Sequence, residues 1–187
     1  MPVPRLDPQR SAVLLIDLQE RLMPVMHGRS QLERRAARLL EGANALKVPV
    51  LVTEQYPRGL GATVTAVSQH LSATVYRDQK TRFSACSESL LRFLRKFEIR
   101  SVVLGGIEAH VCLLQTCLDL LDERLTVAVC HDATSSRRAS DKEAALQRMT
   151  QAGALPTTVE AALLELVADA DTEGFRAIRR VIQSKDA

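Results

Sequence analysis

Cys112, Asp17 and Lys80 are the residues whose types and surroundings suit covalent chemistry. Cys112 closes the run Val102-Val103-Leu104-Gly105-Gly106-Ile107-Glu108-Ala109-His110-Val111-Cys112, and apolar residues recur at helical spacing over 113–121. That pattern predicts a buried strand, a glycine turn and a helix that begins at or near the cysteine. A thiol there meets the positive end of the helix macrodipole and unpaired backbone N–H groups. The expectation is a lowered thiol pKa, a nucleophile, and donors for an oxyanion. Asp17 follows the apolar run 11–16. Its ordinary role would be a cap or turn residue. Its chemical role would be to take a proton from a thiol and return it to a leaving group. Lys80 stands in a polar stretch after a weak strand. Alone it reads as a solvated lysine, but beside the other two its cation favours both the carboxylate and the thiolate.

The elements that must bring these three together follow from periodicity. Strands are predicted over 11–16, 48–53, 74–77, from 102, over 125–130 and over 154–157. Helices are predicted over 31–46, 64–70, 87–97, after 112, and over 140–151, 159–168 and 173–183. Loops are predicted over 54–61 and 78–83. Alternating strands and helices argue for a three-layer α/β/α fold, a parallel sheet with helices on both faces, as one domain spanning 1–187. In such folds function sits at the carboxyl ends of the strands. The polar residues expected there are Asp17, Glu54, Gln55, Lys80, the turn 106–112 and Asp132.

Other chemistries find less support. His110 lies two residues before Cys112, too close along a tight turn to aim its ring readily at the thiol. His27, His70 and His131 are scattered. No H-x-x-x-H or C-x-x-C spacing occurs, so neither a metal nor a cofactor is expected. Gly105-Gly106 lacks the third glycine of a dinucleotide fingerprint.

The 187 residues are 46% apolar, enough for a sizeable core, with no apolar stretch long enough to span a bilayer. The first residues lack the apolar segment of a signal peptide. Four cysteines without paired spacing suit a reducing compartment, expected to be cytoplasmic, with a mitochondrial location as the alternative. The net charge of +3 is spread among acids, and only 3% of residues are aromatic, so a nucleic-acid partner is not expected.

Five segments give the chain a specific resemblance: LLIDLQ at 14–19, VTEQYPRGLG at 52–61, KTRFS at 80–84, GGIEAHVC at 105–112 and DATSSR at 132–137. In order and spacing they resemble the isochorismatase-like cysteine hydrolases, most closely the isochorismatase-domain-containing branch. The resemblance implies a Rossmann-like, six-stranded parallel sheet. It implies hydrolysis of a C–N bond in a small amide or carbamoyl substrate, by a triad falling on Asp17, Lys80 and Cys112. It also implies a cis peptide between Ile107 and Glu108, with N–H groups near Glu108 and Cys112 facing the substrate carbonyl oxygen. Gln19, Gln55, Tyr56, Phe83 and His110 would line the pocket, and the chain would assemble into a homo-oligomer.

One departure narrows this. The nicotinamidase branch has metal-binding histidines in the loop after the second strand, whereas here it reads Glu54-Gln55-Tyr56-Pro57. Nicotinamide hydrolysis and a metal are therefore not expected. Two other readings stand beside the enzyme. One is a protein-interaction module on the same fold. The other is an RNA-associated mitochondrial protein, since trypanosomatid relatives of this branch are labelled ribonucleases. No carboxylate cluster or histidine pair suited to phosphodiester chemistry accompanies the latter.

Overall fold

Strand β1 (Ser11–Ile16) is buried at every position because helices cover both of its faces. Its side chains alternate between two cores. Val13 and Leu15 pack with Val50, Val52 and Val103 on one side, whereas Ala12, Leu14 and Ile16 pack with Leu51, Val102 and Leu104 on the other. The computed structural model, which describes residues 3–73 and 75–184, shows how the remaining elements follow from this layering. Helix α1 (Arg29–Ala45) leads to β2 (Val50–Gln55). Single helical turns α2 (Pro57–Leu60) and α3 (Thr65–Ser68) precede β3 (Tyr76–Lys80). Helix α4 (Glu88–Lys96) then leads to β4 (Ser101–Gly106). A π-helical turn, Ala109–Leu113, runs into α5 (Leu114–Asp122). Strand β5 (Thr126–Thr134), α6 (Ala139–Gln151), β6 (Leu155–Thr157), α7 (Val159–Val167) and α8 (Glu173–Gln183) complete the order.

The six strands form one parallel sheet in the order β3-β2-β1-β4-β5-β6. Chain direction across the sheet reverses between β1 and β4, whose residues pair from Ser11↔Ser101 to Ile16↔Gly106. A crevice opens at such a switch point, outside the carboxyl ends of the two strands. Asp17 follows one of those ends, and the turn to Cys112 follows the other.

The two glycines that end β4 make this junction. Gly106 has φ +119°, and a Cβ there would run into the backbone of Ile16. At Gly105 a Cβ would lie 2.9 Å from the Ala133 carbonyl oxygen. Gly106→Ala is expected to cost about 1–3 kcal/mol, seen as a lower urea midpoint, because that backbone region is essentially restricted to glycine.

Several boundaries differ from the sequence expectation. Strand β2 continues through Glu54 and Gln55, which were expected in a loop, and 57–60 make a helical turn. The expected strand at 74–77 begins on Thr74, outside the described residues, and β3 itself runs on to Lys80. Lys80 is thus the last residue of an edge strand rather than a loop residue. Its strand is polar in sequence and is held by its ladder with β2, in which Gln55 pairs with Lys80. Strand β5 likewise extends past Cys130, through His131 and Asp132 to Thr134, with a register irregularity opposite 104–106.

Candidate active site

The first functional side chain is placed by β1. Asp17 leaves the strand with φ +53°, a left-handed conformation that aspartate tolerates better than most residues. Its carboxylate is fully buried. Thr53 on the neighbouring β2 donates its hydroxyl to Oδ1 at 2.7 Å, and Lys80 Nζ donates to Oδ2 at 2.6 Å. Lys80 is 9% exposed. Its ammonium also donates to Gln55 Oε1 at 2.7 Å and to the Phe83 carbonyl at 2.9 Å. The buried cation therefore has three well-placed acceptors, one of them charged. Thr53 and the Phe83 carbonyl went unrecognised in the sequence. A threonine inside the apolar run of β2, opposite Ile16 in register, was the available signal for the first.

Cys112 lies within the π-helical turn, two residues before α5, and is 6% exposed. Its thiol lies close enough to Asp17 and Lys80 for both charges to act on its ionisation. The Thr116 hydroxyl donates to the Cys112 carbonyl at 2.6 Å and accepts the Ala85 N–H at 2.9 Å, tying the π turn to the segment after Lys80. Three carboxyl ends of the sheet thus converge on one acid, one cation and one thiol.

The thiol does not have the lowered pKa expected of a helix start. Burial pushes it up to about 12, the Asp17 carboxylate adds to the rise, and Lys80 works against it. The helix proper begins only after the π turn, and the desolvated pocket outweighs the nearby cation. Burial and the carboxylate together thus favour the protonated thiol at rest.

The remaining expected site residues divide. Ile107–Glu108 is a cis peptide bond. Ile107 is fully buried, and its N–H donates to the Ile16 carbonyl at 2.9 Å. The Ala109 N–H after this bond is occupied by the Ser135 carbonyl at 2.8 Å. The Glu108 carboxylate accepts from Arg137 Nε at 2.9 Å. His110 turns to Ser136, with Nδ1 and Oγ 3.0 Å apart.

Gln19 is held by backbone groups rather than facing solvent. It is fully buried, its amide donates to the Gln55 and Gly61 carbonyls at 3.0 and 2.7 Å, and its oxygen accepts the Gln55 N–H at 2.7 Å. It is a positioning residue that clamps the end of β2. Gln55 touches Lys80 directly. Tyr56 and Phe83 are 54% and 53% exposed on the segments that follow β2 and β3. Phe83 lines a cavity of 410 Å³ with Arg82, Ser84, Gln115, Leu118 and Asp119. That space lies between the segment after Lys80 and the first turns of α5. Among the described residues, no group of three or more His, Cys, Asp or Glu could hold a metal ion, and no helix is long and apolar enough to cross a membrane.

Fold and site together define a three-layer α/β protein of the isochorismatase-like hydrolase class. The chain belongs to the isochorismatase family: the model described as the isochorismatase domain matches residues 11–161. Isochorismatase domain-containing protein 2A of Mus musculus is 41% identical over 179 residues, covering 96% of this chain and 85% of its own length. Isochorismatase domain-containing protein 1 of Danio rerio is 40% identical over 95% of this chain, which spans only 62% of that relative. A solved structure of a MAR1 ribonuclease from Caenorhabditis elegans superposes with a TM-score of 0.94 at 38% identity, covering 98% of this chain and 95% of that one.

Proposed function

We propose that this protein is a metal-independent cysteine hydrolase of a small amide or related C–N bond, acting through a thioester acyl-enzyme. One observation carries the reading: a buried thiol lies beside a buried carboxylate that is ion-paired to a buried ammonium at 2.6 Å. Asp17 takes the thiol proton as Sγ attacks the substrate carbonyl carbon. The tetrahedral oxyanion collapses, the C–N bond breaks, and the amine leaves with the proton returned by Asp17. Water then attacks the thioester, giving its proton to Asp17. The acid departs and the thiolate is reprotonated by Asp17. Lys80 stays charged throughout and prevents Asp17 from being an isolated buried anion.

A panel of small primary amides and carbamoyl compounds, followed by amine or ammonia release, tests this. Cys112→Ser is expected to reduce turnover at least 10³-fold. Intact-mass analysis of the acid-quenched wild-type reaction is expected to show an acyl adduct on Cys112. Hydrolysis that survives in Cys112→Ala would overturn the reading.

The Caenorhabditis relative's name motivates a second reading, RNA cleavage. The same variant separates the two: RNA cleavage unaffected by Cys112→Ser, with no amide turnover in the wild type, would favour it. The exposed Tyr56 and Phe83 suit a homo-oligomer that covers these side chains, and light scattering measures the oligomeric state.

A further inference from the structure

A second polar pocket lies where α1 begins, beside the end of β5. It has a volume of 120 Å³ and is lined by His27, Gly28, Gln31, Leu32, Asp132, Thr134, Ser135 and Lys142. By the volume of liquid water, that is room for about four molecules, the scale of a tetrahedral oxyanion. None of these residues serves the proposed hydrolysis.

Three independent features of the pocket suit an anion. Helix α1 starts there, with Gly28 as its N-cap at φ +65°, no capping side chain and no acidic residue in its first turn. Seventeen residues of aligned peptide dipoles thus end in first-turn N–H groups that no side chain caps. Thr134 lines the same pocket and is 2% exposed, yet its Oγ1 finds no hydrogen-bond partner among the described residues. A hydroxyl buried without a partner costs free energy that a ligand acceptor would offset. Lys142, half-buried on α6, brings an ammonium with no hydrogen bond or ion pair among the described residues. Burial lowers the pKa of that ammonium, with Asp132 working against the shift.

Asp132 is the one carboxylate in the wall. It is already engaged: Oδ1 accepts the Val159 N–H at 2.9 Å, and Oδ2 lies 3.5 Å from Arg35 Nε on α1. The Ser135 hydroxyl is spent on the His27 carbonyl at 2.6 Å. The free donors are therefore the helix end, Thr134 and Lys142. We infer that this pocket binds a small tetrahedral oxyanion, a phosphate or the phosphoryl group of a larger molecule, held by the α1 N-terminus, Thr134 and Lys142. His27 and Gly28 are exposed, so a phosphoryl group carried on a larger body can enter from solvent.

Ser135 gives the site a route to the turn. Its N–H donates to the Gly106 carbonyl at 3.2 Å, and its carbonyl accepts the Ala109 N–H at 2.8 Å. Occupancy of the pocket would therefore brace the segment that carries Glu108 and Cys112.

Titrating inorganic phosphate and, separately, O-phosphoserine into the intact protein at constant ionic strength, with chloride as the balancing salt, tests this by calorimetry. Saturable binding of either probe is expected, and the relative affinity of the two distinguishes free phosphate from a carried phosphoryl group. Thr134→Val and Lys142→Met are each expected to weaken it at least tenfold. Lys142→Arg should retain most of it, and the exposed, distant Lys96→Met should change nothing. No saturable binding of either probe, or binding as tight in Lys142→Met as in the wild type, would overturn the inference. If Thr134→Val fails to fold, the contrast between Lys142→Met and Lys142→Arg decides alone.

Discussion

Lys80→Met is expected to destabilise the protein by about 3–5 kcal/mol, read as a fall in the urea midpoint at unchanged slope. The size comes from what is left behind. Asp17 is fully buried, and without the ammonium its carboxylate keeps the Thr53 hydroxyl but has no compensating charge. Gln55 Oε1 and the Phe83 carbonyl also lose their donor. The partner substitution gives the decisive sign. Asp17→Asn combined with Lys80→Met removes both charges and is expected to be more stable than Lys80→Met alone. A double-mutant cycle then yields a coupling that neither single variant shows. The exposed Arg92–Glu88 pair on α4 serves as the comparison, and Arg92→Ala should change stability little. A loss below about 1 kcal/mol in Lys80→Met would mean that water or a shifted side chain supports Asp17, and that the buried pair does not organise the site.

The parts of this arrangement that were legible in the sequence are those written in continuous apolar runs. Strand β1 and the core of β4 stand out because burial on both faces leaves an unbroken apolar run, and Asp17 is conspicuous as the first polar residue after such a run. Lys80 was harder to place. Its strand reads Tyr-Arg-Asp-Gln-Lys, and an edge strand of that composition is held by pairing with β2 rather than by its own propensity.

The π turn at Cys112 was not legible either. The residues over 109–113 suit an α-helix equally well, and the wider turn is set by packing and by tertiary bonds such as that from Ala109 N–H to Ser135. The thiol's ionisation depends on the same tertiary facts. A helix start and a lysine argue for a thiolate, but they do not reveal that the sulfur sits in a closed core beside a carboxylate.

That closed environment makes the two consequences of Asp17→Asn run in opposite directions. Turnover of an amide substrate is expected to fall by about 10²–10⁴, because the base that takes the thiol proton and the acid that returns it to the amine are lost together. Alkylation of Cys112 by iodoacetamide should instead become faster at pH 8. The Asp17 carboxylate is the second cause of the raised thiol pKa, after burial, while Lys80 lowers it. Removing the carboxylate leaves the ammonium as the dominant neighbour, so the pKa drops from about 12 towards, but not below, the ordinary 9.0, because burial remains. Below the pKa, each unit of that drop gives about ten times more thiolate. Lower intrinsic nucleophilicity of the weaker base returns roughly half of that gain on a logarithmic scale, leaving about a threefold faster reaction per unit.

Lys80→Met removes the opposing charge and should slow the same alkylation. Peptide mapping with isotopically coded iodoacetamide separates Cys112 from Cys86, Cys117 and Cys130, all of them buried free thiols. In the wild type the Cys112 rate should keep climbing from pH 6 to 9 without a plateau. A plateau in that range would show a thiolate already formed at rest, and slower labelling in Asp17→Asn would show that the carboxylate serves as a base for alkylation rather than as a like charge opposing ionisation.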